Sequence, residues 1–372
     1  MTPHIHTAPR RQRGLTIVEL MVAALISLIL LAGIVQVFIA NRQTYRLHEA
    51  LSRVQENGRF ATEFLSLDVR QTGYMGCFNP NNGDFYNMVK SDHPSKLNPD
   101  TGAFASFDGS GALDGRDNIS DPLDAELTDM GLALTADLSS GSTGDILAGT
   151  DLLILRGGGT CEGGEVLYTG EGEAYRYKDT ANIKIKDAAS CGLDQNSVVM
   201  VTDCATADMF AITNQPISGG PDKDTLAHGA ANNISVKLQG SYGPGSEILT
   251  LKGSVIYIGK GASGEPALFR RALNTTTTGF NVEELVEGVE NMQITYGEDT
   301  DSDNVPNHFV AAGSVTNMER VVALRLSLLI RSQDNATDTN QTYTYNGATV
   351  TAGDLRLRRV FNTTIMLRNR MI

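Results

Sequence analysis

The side chains with the clearest potential for chemistry are carboxylates. Asp299, Asp301 and Asp303 alternate within GEDTDSDN (297–304), and carboxylates at that spacing can turn inward around a hard cation, as in the first half of a calcium loop. A full loop of that class has glycine at its sixth position and glutamate at its twelfth, where this chain has Asn304 and Val310. Calcium here is one expectation; a polar turn between strands is the plainer one. No other part of the sequence asks for a cofactor. Glu19 is the second notable carboxylate, because it stands immediately before a long apolar run, and a lone acid carried into a bilayer costs about 2.5–3.5 kcal/mol. Catalytic patterns are missing from the sequence: there is no G-x-S-x-G, H-E-x-x-H or Walker loop. Gly259, Gly261 and Gly264 match G-x-G-x-x-G formally, but Pro266 and a strand pattern follow where a phosphate-binding helix should start, which predicts a hairpin. His48, His93, His228 and His308 have no partners nearby in sequence and are expected to be surface or packed residues, so the chain is not expected to be an enzyme.

The elements around these residues begin with Leu20–Ile39, twenty residues in which only Ser27 and Gln36 are plainly polar. At about 1.5 Å per residue a helix of that length spans a 30 Å hydrocarbon core. Arg10, Arg11 and Arg13 precede it without an acidic neighbour, so the positive-inside rule puts the amino terminus in the cytoplasm and the rest across the membrane. The helical pattern then continues, with Leu47, Leu51, Val54, Ala61 and Leu65 close to one face. One helix is predicted from Leu15 to about Gln71, weakened inside by Gly58 and ended by Gly73. If the chain were cut between Gly14 and Leu15, the new ammonium would lie about 6 Å along the helix from Glu19. The pair is awkward within one helix, whereas a neighbouring subunit shifted along the axis could set its Glu19 against that amine. Assembly follows from this.

The run Arg11-Gln12-Arg13-Gly14-Leu15-Thr16-Ile17-Val18-Glu19-Leu20 resembles the prepilin peptidase signature of type IV pilins and type II secretion pseudopilins. The resemblance implies cleavage after Gly14, methylation of the new amine on Leu15, and a role for the Glu19 carboxylate in entry into the filament. Leu15 departs from the phenylalanine usual in major pilins. Gln55-Glu56-Asn57-Gly58-Arg59-Phe60, then Leu67 to Cys77, resemble the helix exit of PilW-type minor pilins, and Leu285 to Gly297 with Asp299 to Asp303 resemble that family's carboxyl-terminal half. The likeness covers residues 10–77 and 283–367. It implies a leader (1–14), a membrane and filament-core helix (15–40), an amphipathic continuation (41–74) and a periplasmic head (75–372).

Beyond Tyr74 the pattern becomes β-rich. Strands are expected at 151–155, 197–201, 234–238, 247–251, 255–258, 267–272, 292–296, 320–331 and 358–367, separated by glycine, aspartate and asparagine. No repeated crossover helices separate them, so the sheet is expected to be antiparallel. Residues 79–149 read as long loops with one or two small elements. The fold class is α+β and pilin-like, one long helix packed on a sheet, with an enlarged β-rich head in as many as two lobes. Cys77, Cys161, Cys191 and Cys204 all lie beyond the membrane run, where an oxidising compartment lets thiols pair. Four cysteines allow three connectivities; Cys77–Cys161 with Cys191–Cys204 is preferred because the second closes a short loop. No C-x-x-C pair or zinc spacing is present.

With 43 acidic against 30 basic residues and a net charge of −13, the chain is unsuited to binding nucleic acid. The resemblance implies a minor pilin of the type IV pilus that primes assembly with other minor pilins and the major pilin, stands near the tip, and supports adhesion and twitching. Its partners would be those pilins, the prepilin peptidase and the inner-membrane assembly machinery. The rivals are a type II secretion pseudopilin and a membrane-tethered periplasmic enzyme or binding protein.

Overall fold

The computed structural model describes residues 14, 16–79, 83–90, 93, 110–120, 133–136, 138–139, 141–167, 177–178, 180–220, 223–273 and 280–370. One helix, α1 (Ile17–Gln71, 55 residues), carries the apolar run and its amphipathic continuation without a break, a rod of about 80 Å. Its lower half is wholly exposed, while Val54, Gly58, Ala61, Leu65 and Val69 bury one face of the upper half against the head. The 3.6-residue period puts those five on one stripe. The helix ends where Thr72 follows Gln71, and Gly73 takes φ +74, a left-handed conformation that glycine adopts without Cβ strain.

The described head holds β1 (Asp84–Asn87), β2 (Leu113–Arg116), β3 (Leu134–Thr135), β4 (Ile146–Leu147), β5 (Leu152–Glu165), β6 (Asn182–Lys184), β7 (Val198–Thr202), β8 (Thr206–Ala211) and β9 (Thr225–Ala227). These are followed by β10 (Glu247–Lys260), β11 (Pro266–Leu273), β12 (Phe280–Glu287), β13 (Val289–Glu298), β14 (His308–Val310), β15 (Val321–Asn335), β16 (Thr342–Tyr345), β17 (Ala348–Thr351) and β18 (Arg356–Met366). A ten-stranded sheet has β10 as its spine, paired along its length with β5, β7 and β11. A four-stranded sheet runs β14-β13-β15-β18, and β16–β17 and β6–β9 form two small ribbons.

The helix lies on the four-stranded sheet. Its buried stripe joins Met292, Ile294, Leu324, Leu326, Leu328 and Ile330 in one core. Gly58 is needed for this contact: a Cβ there would stand 2.3 Å from the Phe361 ring of β18. The sheets are joined through Gly288, which alone separates β12 from β13; it has φ +82, and a Cβ would meet the Arg331 carbonyl at 2.8 Å. Asp151 is a second link. Nearly fully buried, it accepts the Asn118 N–H at 2.8 Å and the Ile294 N–H of β13 at 2.7 Å, and burial raises its pKa to about 6 against the pull of those two donors.

Several expectations need correction. The segments 247–251 and 255–258 are one unbroken strand, because Lys252-Gly253-Ser254 keeps pairing with β5. Residues 234–238 lie outside the strands: Asn233, just before them, makes an isolated bridge to Val89, and Asp208 takes the Gln239 and Gly240 N–H groups beyond them. Pairing is mostly antiparallel, but β1–β8 and β3–β4 are parallel. The described parts of 79–149 hold four short strands, β1 to β4, more than the one or two small elements expected. G-x-G-x-x-G is indeed the β10–β11 hairpin turn.

Candidate functional site

The site is built from the two ends of α1. At the lower end Gly14 is exposed, with open space around it; Leu15, the other half of the expected cleavage bond, lies outside the described residues, as do Arg10, Arg11 and Arg13. Thr16 caps the helix. Its hydroxyl accepts the Glu19 N–H at 3.2 Å, and the Glu19 carboxylate accepts the Thr16 N–H at 2.9 Å and the Thr16 hydroxyl at 3.0 Å. This reciprocal box is the T-x-x-E signature of a helix start, and it is legible in the sequence once Thr16 is considered together with Glu19. The carboxylate is thus not left bare at the mouth of the apolar run. It keeps acceptor capacity beyond its bonds to Thr16, since an ionised carboxyl offers about four lone-pair positions.

Along the run above it, every side chain from Ile17 to Ile39 is exposed, and Ser27 returns its hydroxyl to the Ala23 carbonyl at 2.8 Å, which satisfies the one hydroxyl that would otherwise face an apolar medium. The helix is long and apolar enough to cross a membrane once.

The upper end is fastened to the head from several sides. Gly73 donates its N–H to Arg156 O at 2.8 Å, Gly158 of β5 approaches the chain just past the helix, and Gly157 lets β5 come within reach of Gln71 O. Asn369 donates to the carbonyls of Arg70 (3.1 Å) and Thr72 (3.3 Å), satisfying groups the helix end leaves open. Asp68 pairs with Arg270 of β11 at 3.2 Å, and Arg270 reaches Glu283 of β12 at 2.6 Å. Lower down, Asn57 donates to Glu287 O at 2.9 Å and Gln43 to Asp338 at 2.8 Å.

All four cysteines are in disulfides, but not in the expected pairing. Cys77 bonds Cys204 and Cys161 bonds Cys191, each with Cα atoms 4.8 Å apart. The short-loop preference failed for a geometric reason: the five-residue β7 lies between Cys191 and Cys204, and about 17 Å of extended chain holds them apart. Cys204 instead sits in the β7–β8 turn beside the helix exit, and Cys191 lies beside the far end of β5.

The three aspartates do converge, with one carboxylate oxygen of each within 4.8 Å of the others. Asp299 accepts the N–H groups of Asp301 (3.2 Å), Ser302 (2.7 Å) and Asn304 (2.8 Å); a cation would share oxygens already used by the turn. Beside it buried Glu298 accepts from Thr316 and Asn317 and meets His308 Nε2 at 3.2 Å. His228 is packed, with Nε2 2.7 Å from Thr180 O and its ring on Phe210. Sequence inspection also missed an ion network at the sheet seam: Glu265 binds Arg331 (2.7 Å) and Arg356, and Glu290 and Asp354 clamp Arg358. Its members are scattered over 265–358, and only strand register brings them together.

Residues 255–369 match the family model for type IV pilus-assembly protein W, and residues 9–35 match the prokaryotic N-terminal methylation motif. Together the two matches support a type IV pilus pilin of the PilW family. The PilW match runs from the middle of β10 through β18, the part of the head that seats α1, and the methylation motif covers Gly14, Thr16, Glu19 and most of the apolar run. Among solved structures, the type IV-like pilin TTHA1219 from Thermus thermophilus is similar at 19% identity, over 33% of this chain and 70% of that one, with a TM-score of 0.22. No curated protein matches the chain.

Proposed function

We propose that this PilW-family pilin is a minor pilin that primes the type IV pilus together with other minor pilins. The observation that carries the proposal is the pairing of a bare apolar rod with a head that buries only the rod's upper face. The rod is inserted in the inner membrane with its amino terminus cytoplasmic and its head periplasmic. The prepilin peptidase cuts after Gly14, and the rod then exchanges lipid for neighbouring rods. Thr16 holds the Glu19 carboxylate at the helix start, oriented and partly satisfied, and a neighbour's new ammonium completes its set of partners. Adhesion and twitching follow from the filament, near whose tip such a priming complex stays. The chain acts by structure, without catalysis.

Mass spectrometry of the mature amino terminus tests processing: N-methylated Leu15 is expected, and a protein that keeps residues 1–14 while filaments form overturns the proposal. Gene deletion is expected to remove surface pili and leave protein secretion intact; the reverse result assigns the chain to a secretion pseudopilus. Glu19→Ala is expected to insert in the membrane normally and to fall at least about tenfold in sheared filaments, by loss of an interaction of a few kcal/mol.

A further inference from the structure

The upper helix carries an apolar stripe that its own head does not cover. Phe60, Phe64 and Leu67 are 38%, 38% and 52% exposed, and their four- and three-residue spacing puts them on one face, turned away from the Val54–Val69 stripe that packs on the head. Seven residues below Phe60, at the edge of the same face, Arg53 bonds Glu49 at 2.8 Å and donates to Gln333 Oε1 of the head at 3.3 Å, with the Arg53 and Glu49 side chains 60% and 45% exposed. An open cleft of about 660 Å³ lies beside this pair, between the helix and Gln333 and Asp334.

Resting on the pilin function above, we propose that this face seats the amino-terminal rod of another pilin subunit, parallel to α1 and displaced by 34 residues, about 51 Å, away from the membrane. The partner's chemistry is a free ammonium, a carboxylate four residues on, and about twenty apolar residues. With this chain's own rod as template, that displacement sets the amine of position 15 against Glu49 and the carboxylate of position 19 against Arg53. Charges of alternating sign meet at matched four-residue spacing. The same displacement brings Ile26, Leu30 and Gly33 opposite Phe60, Phe64 and Leu67. Gly33 has nothing around it and offers a notch for the Leu67 side chain. The cleft leaves room for the partner's charged end. Rods level with one another in the membrane leave this stripe uncovered, as does a partner displaced toward the membrane. The seat therefore takes a subunit already extracted ahead of this one, and the chain is not the foremost subunit of the filament.

The test uses the full-length chain in cells that assemble filaments, with Phe64 replaced by the photo-crosslinking residue benzoylphenylalanine and the crosslinked peptides sequenced by mass spectrometry. A peptide from the apolar rod of another pilin, about 15 residues from its processed end, is expected; attachment only to lipid or to a head domain overturns the proposal. The double substitution Glu49→Arg with Arg53→Glu preserves the local ion pair but reverses its direction, and is expected to lower that crosslink at least about tenfold with the chain's level in membranes unchanged. An unchanged crosslink yield overturns the charge register. Recovery of processed chain in filaments with crosslinks elsewhere defeats this proposal alone, whereas absence of the chain from filaments defeats the minor-pilin function as well.

Discussion

Gly58 separates propensity from packing. Inside a helix, Gly→Ala ordinarily stabilises by about 0.5–1 kcal/mol, yet here the added methyl would press on the Phe361 ring. Gly58→Ala is therefore expected to destabilise the protein by about 1–3 kcal/mol, measured by urea unfolding, and to turn neutral or stabilising in a Phe361→Leu background. Failure of that reversal would show that the ring is not the obstacle. Asp151 has the opposite kind of constraint, electrostatic rather than steric. Its pKa is raised to about 6 in the folded protein, so the folded form holds its proton more tightly than the unfolded one, and its contribution is full below pH 4 and lost as the pH rises through 6. Asp151→Asn is expected to flatten the change of thermal stability between pH 4 and 6, an effect of at most about 3 kcal/mol. A slope identical to the unsubstituted protein's would exclude Asp151 as its source.

At the scale of elements, the two disulfides close loops of very different length, 127 and 30 residues of separation. On the chain-entropy account, removing Cys77–Cys204 should cost about 1 kcal/mol more than removing Cys161–Cys191, and non-reducing peptide mapping should find no Cys191–Cys204 peptide. Periodicity made the helix legible almost to the residue: Gly73 marks its end, and Val54, Ala61 and Leu65 are on the buried face. It also placed most long strands. Leu47, expected on the buried face, is exposed, because full burial by the head ends at Val54 and fades through half-buried Leu51 and Ala50. The short strands β6, β9 and β14 went unseen because three residues give no alternation to count. Disulfide partners and the Glu265–Arg331–Arg356 cluster are products of register, which local sequence does not encode. The Thr16–Glu19 box, by contrast, is fully local: its T-x-x-E spacing is written in the sequence.

For the whole molecule, the exposed rod and the anchored head divide the work, and the joint between them is where function puts its stress. The chain leaves α1 through Gln71–Gly76, where Gly73 bonds β5, Asn369 holds the helix-end carbonyls, and Cys77 is bonded to Cys204 in the β7–β8 turn. Under the function proposed above, a pull along the rod enters the head at this corner. The disulfide gives it a covalent shortcut past residues 78–203, so that whole span is relieved of load, and Cys77→Ser should yield at a lower force than the intact chain when pulled from its rod in a single-molecule trace.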